Sequence, residues 1–264
     1  MLNIHPLFSS SSGNMFHIES NKTNILVDVG VTYKSITDGL KSIDKNISDI
    51  SAILITHEHI DHIKGLPLIC RKNNIPIYAC GKTADYLKDY LDDKNISADI
   101  IKTHYGQPFK VKDFEITPFE TSHDAVMPCG FNIKTSESSI GFATDLGYVT
   151  NEVFDYLLNS DYIIIESNYD STMLDFGKYP FNLKRRIKSN LGHLSNDDTS
   201  DLICKLYNKG KNRFLLAHLS QNNNTSDIAI DTIKSKLQCN GINKDLLDIC
   251  IATKDLSSEV INIC

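Results

Sequence analysis

The sequence predicts an α/β protein, on three observations. Short β-branched apolar runs alternate with stretches of helical spacing in both halves of the chain. The clearest runs (SAILIT before His57, YIIIE up to Glu166, RFLLA before His218) read as buried strands. Each leads into ionisable residues, and strand ends are where layered α/β folds assemble their sites.

Taken in order, residues 15–19 form a strand after a turn at 9–14, and 24–28 (NILVD) a buried strand ending at Asp28 and Gly30. Residues 49–56 contain SAILIT, which puts the following histidines on a loop at the strand's C-terminal end. Helical spacing covers 63–73, a strand 75–79 and a second helix 83–91. The middle reads as antiparallel, with short runs at 109–111, 114–119, 129–135 and 139–144 split by Gly, Asp and Ser. A helix at 151–159, the strand 162–166, a basic helix at 182–189 and an amphipathic one at 197–209 follow. Strand 213–217, helix 226–239 and strand 248–252 complete the chain.

Length and composition narrow the class. The 264 residues, 41% apolar and 23% charged, suffice for a packed core and predict one domain over 1–264. A net charge of −6 argues against coating nucleic acid by charge alone. No apolar run approaches the roughly 20 residues of a membrane span, and the first residues carry no secretory pattern. The seven Cys are odd in number, scattered and without CxxC spacing, which fits reduced thiols and a cytoplasmic location.

The strongest chemical feature is His57-Glu58-His59-Ile60-Asp61-His62, directly after a buried strand. Imidazole and carboxylate suit Zn, Mn or Fe, and a loop can splay them toward two ions. One loop cannot fill two sites, so further ligands belong at later strand ends. His123 in TSHDA, Asp145 in ATDLG and His218 in LAHLS stand there.

That order of motifs resembles the metallo-β-lactamase superfamily. Within it, SSSSGNMF, THEHIDHIKG, SHDA, TDLGYV, ESNYD, KYPFNLKRRI, GHLSNDD and AHLSQNNN are similar to the WalJ/YycJ family of hydrolases, described as 5′-to-3′ DNA exonucleases connected with DNA repair. The resemblance implies an αβ/βα four-layer sandwich: two mixed β-sheets face to face, flanked by helices. It implies two divalent metal ions, Zn or Mn. His57, His59 and His123 would hold one, Asp61, His62 and His218 the other, and Asp145 would bridge them. A metal-bridging hydroxide, oriented by Asp61, would be the nucleophile. Asp28 is placed to orient a ligand histidine.

A second constellation, His193-Leu194-Ser195 with Glu166, is similar to the ribonuclease Z branch. There a histidine backed by a glutamate helps protonate the leaving oxygen, a role that carries over to His193 and Glu166. Ser195 at a helix start would meet phosphate, or would simply cap the helix. Lys184, Arg185 and Arg186 form the densest basic cluster and would contact further phosphates, and Ser10 and Ser11 would do so from a polar turn. His5, His17 and His104 read as structural. The stretch between Asp145 and His218 is too short for the inserted domain of ribonuclease J, so the substrate would be gripped by the core surface or a homodimer.

The function expected is therefore a dinuclear-metal-dependent phosphodiesterase, a 5′-to-3′ DNA exonuclease acting at the 5′ end and phosphate backbone. Two alternatives stay open. One is a hydrolase of a small cyclic phosphate or ester on the same fold. The other is a metal-binding regulatory protein with little turnover.

Overall fold

A computed structural model describes residues 2–243, 246–252 and 261–263. Fourteen strands are described within two seven-stranded mixed sheets. In the first, β1 (Leu2–Ser10), β2 (Gly13–Ser20) and β3 (Asn24–Val27) are antiparallel. Strands β4 (Ala52–Ile55), β5 (Ile77–Cys80) and β6 (Ile100–Thr103) continue it in parallel, and β14 (Ile261–Ile263) pairs with β1. The second sheet repeats the plan. Antiparallel β7 (Phe109–Val111), β8 (Phe114–Glu120), β9 (Cys129–Lys134) and β10 (Ser139–Ala143) lead into parallel β11 (Tyr162–Glu166), β12 (Arg213–Ala217) and β13 (Asp248–Ile251).

The layering follows from which faces are apolar. Ile4, Phe16, Ile18, Val27 and Leu54 of the first sheet meet Phe114, Phe131, Ile133, Phe142, Ile164 and Leu215 of the second in one buried cluster. The outer face of the first sheet is covered by α1 (Tyr33–Ser42), α3 (Leu66–Lys72) and α4 (Gly81–Asp92) through Ile36, Leu40, Ile69 and Leu87. The outer face of the second is covered by α5 (Asn151–Leu158), α8 (Asn196–Tyr207) and α9 (Ser226–Cys239) through Val153, Leu157, Ile203 and Ile233. Helix, sheet, sheet and helix thus give the expected four layers. The parallel strands β4 and β11, inside their sheets, are buried along their whole length, as strands covered on both faces must be.

Four differences from the sequence reading have local causes. Strand β1 was not expected, because Pro6 and the serine run mask its pattern; the ladder bulges between Pro6 and Phe8. The turn expected at 9–14 shrinks to Ser11–Ser12, with Ser9 and Ser10 in the strand. The helix expected at 63–73 breaks into α2 (Ile60–Ile63) and α3, which restarts after Gly65 at Leu66 with Pro67 in its first turn. Helix α1 buries a single i, i+4 aliphatic pair, Ile36 and Leu40, beside a mid-helix glycine, too short a pattern to read, and is started by Thr32 accepting from Ser35 N. Helices α6 (Ser171–Phe176) and α7 (Phe181–Ile187) lie between β11 and α8. No described helix is long and apolar enough to cross a membrane. Cys70, Cys80, Cys129, Cys204 and Cys239 form no disulfide, and Cys264 lies outside the described residues.

Candidate metal centre

Six strand ends converge on one edge of the sandwich. Strands β3 and β4 of the first sheet and β8, β10, β11 and β12 of the second end there and deliver Asp28, His57, His123, Asp145, Glu166 and His218. The hairpin turn Ser11–Ser12 and the loop before α8, which carries His193, close over the same edge. Asp28, Asp145 and His218 all have left-handed backbone, with φ of 59°, 58° and 56°. Such conformations are unfavourable for residues with a Cβ, so the surrounding packing holds them there. Gly30 lets the 57–62 segment approach: a Cβ there would stand 1.6 Å from the Asp61 carbonyl oxygen.

Two donor groups form. His57, His59 and His123 offer ring nitrogens within 4.8 Å of one another; Asp61, His62 and His218 offer a carboxylate oxygen and two ring nitrogens just as close together. Asp145 lies between them. Its Oδ1 is 3.7 Å from His123 Nε2 and 3.6 Å from His218 Nε2, and its Oδ2 is 3.5 Å from His62 Nε2. Asp61 Oδ2 stands 3.5 Å from His62 Nε2 and 3.7 Å from His218 Nε2.

Each ring is oriented from behind. His62 Nδ1 donates to Asp28 Oδ2 at 2.8 Å. Thr56 Oγ1 also donates to that oxygen, at 2.8 Å, and so accepts from His57 Nδ1 at 3.0 Å. His123 Nδ1 donates to the Gly192 carbonyl at 3.0 Å, and His218 Nδ1 to Glu166 Oε1 at 2.7 Å. With Nδ1 turned to these acceptors, Nε2 of all four rings faces inward and is the nitrogen a cation would take, on His62 and His218 once it has given up its proton. Sequence reasoning anticipated the place of Asp28. It missed Thr56, whose only signal is its position before His57, and Asn168, which donates to the His218 carbonyl at 2.8 Å. It also missed that Glu166 holds His218.

Glu166 is the hub of the second half. Its Oε1 accepts from His193 Nδ1 at 2.8 Å as well as from His218, and its Oε2 accepts from Leu146 N and Leu194 N at 2.9 and 3.3 Å. Burial pushes this carboxyl up, but the two imidazoles outweigh it and hold it well below the carboxylate range. The two donor groups differ electrostatically. Burial, then the neighbouring rings, push His57 well below its ordinary value, and burial lowers His123. Burial also acts downward on His62 and His218, yet the carboxylates win. His62 is raised well above normal by Asp28, Asp145 and Asp61, and His218 is raised to about 10 by Asp145, Asp61 and Glu166.

These residues fit divalent cations. Asp145 Oδ2 and His218 Nε2 are buried without a hydrogen-bond partner, an arrangement costly unless a ligand completes it. His57 Nε2 and His123 Nε2 both face His59 Nδ1, at 3.0 and 3.3 Å, and one ring proton cannot serve both contacts. Donors bound to one cation at about 2.0–2.2 Å stand roughly 3–3.6 Å apart, and these spacings fall in that range.

The remaining expected site residues divide. Ser11, Asp61, Arg186 and His193 line the cleft of about 290 Å³ over the donor groups, beside Ile60, which the sequence did not single out. Arg186 is held there by Asp124, with its guanidinium NH2 nitrogen donating to Oδ1 at 2.7 Å. Lys184, on the same helix α7, donates instead to the Asp175 carbonyl of α6 at 2.8 Å, and Arg185 is exposed. Ser195 caps α8: its hydroxyl donates to Asp198 Oδ2 at 2.6 Å and accepts from Asp198 N at 3.1 Å. Ser10 is buried, its hydroxyl 3.0 Å from Ser12 Oγ and accepting from Gln221 Nε2 at 3.0 Å.

Residues 23–219 match the beta-lactamase superfamily domain. The chain belongs to that superfamily. It is 37% identical over 236 residues to the exodeoxyribonuclease WalJ of Streptococcus pneumoniae serotype 2, covering 88% of this chain and 86% of that protein. It is 33% identical over 240 residues to the exodeoxyribonuclease YycJ of Bacillus anthracis, covering 91% and 90%. The metallo-beta-lactamase fold protein YhfI of Bacillus subtilis superposes with a TM-score of 0.71 at 16% identity over 98% of both chains, a likeness of fold. Superfamily membership and the His/Asp clusters together support divalent metal binding.

Proposed function

We propose that this chain is a dinuclear-metal-dependent phosphodiesterase that removes nucleotides from the 5′ end of DNA, working as one hydrolase unit in the cytoplasm. The observation that carries this reading is the meeting of two donor groups across Asp145 with the His193–Glu166 pair on the same cleft. The extended similarity to two proteins named exodeoxyribonucleases supplies the substrate class.

His57, His59 and His123 would hold one cation and Asp61, His62 and His218 the other, with Asp145 shared; Zn and Mn both suit these donors. When bound, the cations supply Lewis acidity toward phosphoryl oxygens and lower the pKa of a water. The chain's own groups do the rest. Asp61, the one carboxylate of the group partly open to the cleft, accepts a hydrogen bond from the attacking water and aims it. His193 is oriented through Nδ1 by Glu166 and donates from Nε2 to the departing 3′ oxygen. Glu166 balances the charge His193 carries as a donor. Arg186, at the lip, meets the next phosphate, with Lys184 and Arg185 adding to the local field and Ser11 approaching from the hairpin turn, which Ser10 braces from the strand through Ser12 and Gln221.

The test is digestion of 3′-labelled, 5′-phosphorylated DNA with Mn²⁺, with Asp145→Ala run in parallel. Shortening from the 5′ end by the wild type alone supports the proposal. Intact DNA in the presence of a fully metallated wild type overturns it and shifts the assignment to small cyclic phosphates or esters.

A further inference from the structure

The outer face of the β1–β2 hairpin carries a second imidazole–carboxylate cluster, in the middle of the ladder rather than at strand ends. His5 and His17 are cross-strand partners, with ring centroids 5.1 Å apart. Asn3 and Glu19 are the next pair on the same face. His5 and His17 are 6% and 0% exposed. Glu19 Oε1 accepts from Asn3 Nδ2 at 3.0 Å and lies 3.4 Å from His5 Nε2. Glu19 Oε2 is held by Lys45 Nζ at 2.5 Å. His17 Nε2 donates to Asn24 Oδ1 at 3.0 Å, which leaves its Nδ1 as a lone pair. That Nδ1 and Asn3 Oδ1 are both buried without a hydrogen-bond partner.

We propose that His5, His17 and Glu19 form a binding site for a divalent transition-metal cation, separate from the cleft. Each offers a donor atom within 4.8 Å of the other two. The 3.4 Å between His5 Nε2 and Glu19 Oε1 is long for a hydrogen bond, but it is the separation of two donors sharing one cation at about 2.0–2.1 Å in tetrahedral geometry. A bound cation also accounts for the unpartnered His17 Nδ1, which an isolated hydrogen-bond network would satisfy or exclude. Two imidazoles and one carboxylate select zinc-like ions over calcium or magnesium. Lys45 occupies the outer oxygen of Glu19 and is the cation that the metal must compete with or share.

The experiment is titration of the chelator-stripped full-length protein with Zn²⁺ by calorimetry, and with Co²⁺ by visible absorption, beside His5→Gln, Glu19→Gln and Lys45→Met. The wild type is expected to take up one equivalent more than His5→Gln or Glu19→Gln. Lys45→Met is expected to bind that equivalent about ten-fold tighter, because a competing charge has gone. Equal stoichiometry in wild type and both folded variants, or unchanged affinity in Lys45→Met, overturns the proposal and leaves the cluster as a brace for the hairpin. Because the readout is a difference between proteins, fewer cations in the cleft would lower all the values together and leave it intact.

Discussion

The cleft and the hairpin cluster use the same side chains in two different backbone settings. In the cleft, the histidines and carboxylates sit just past strand ends, three of them on left-handed backbone. In the hairpin, His5 and His17 sit within a continuous antiparallel ladder. A ladder fixes side chains at the pleat spacing and can present only a few to one point. Strand ends are free of the ladder, so six of them aim donors at one spot, and strained turns are what the aiming costs. Charge balance differs as well. Lys45 answers Glu19 in the hairpin, whereas the cleft gathers Asp28, Asp61, Asp145 and Glu166 with Arg186 engaged by Asp124 at its rim.

Removing the shared carboxylate tests the contrast most severely. Asp145→Ala is expected to cut turnover by about 10³-fold or more and to reduce metal content, read by steady-state kinetics and elemental analysis. Retained metal with retained rate would place the bridging role elsewhere. His193→Ala is expected to slow turnover by roughly 10²-fold at unchanged metal content, which separates proton donation from metal holding. Full activity in that variant would remove the donor role.

The two halves of the cleft should also respond differently to pH. His62 and His218 have raised values, so at neutral pH they carry protons that a cation must displace; His57 and His123 are lowered and bind without that release. Metal affinity at the Asp61/His62/His218 position is therefore expected to rise with pH and to fail first on acidification. Equilibrium dialysis across pH checks this, and parallel loss from both positions would contradict the asymmetry. The smallest effect is expected at the rim. Arg186→Glu should raise KM for DNA several-fold with little change in kcat, and less so at high salt, where the charges are screened. An unchanged KM would leave Arg186 as the partner of Asp124 and nothing more.

Much of the site was legible in the sequence because metal-binding chemistry needs rare residue types in tight spacing. The 57–62 segment supplies four potential donors at once, and the single residues His123, Asp145 and His218 acquire meaning from it. The buried strands were legible because strands covered on both faces must be apolar throughout, as in YIIIE and RFLLA. Strand β1 was not, since a proline and a serine run carry no period, and it is the partner strands that hold them extended.

By itself, then, the sequence determined which side chains are present and which strand precedes each, because periodicity and residue chemistry are local properties. Only the tertiary structure decided which atoms face one another. It set Glu166 between His193 and His218, sent Lys184 toward α6 while Arg186 reached the cleft, gave the Ser195 hydroxyl to the cap of α8, and placed the His5 ring beside that of His17. The reason is physical. Hydrogen-bond partners and ion pairs act over a few ångströms between residues far apart in the chain, and only the packed sheets bring those residues within that range.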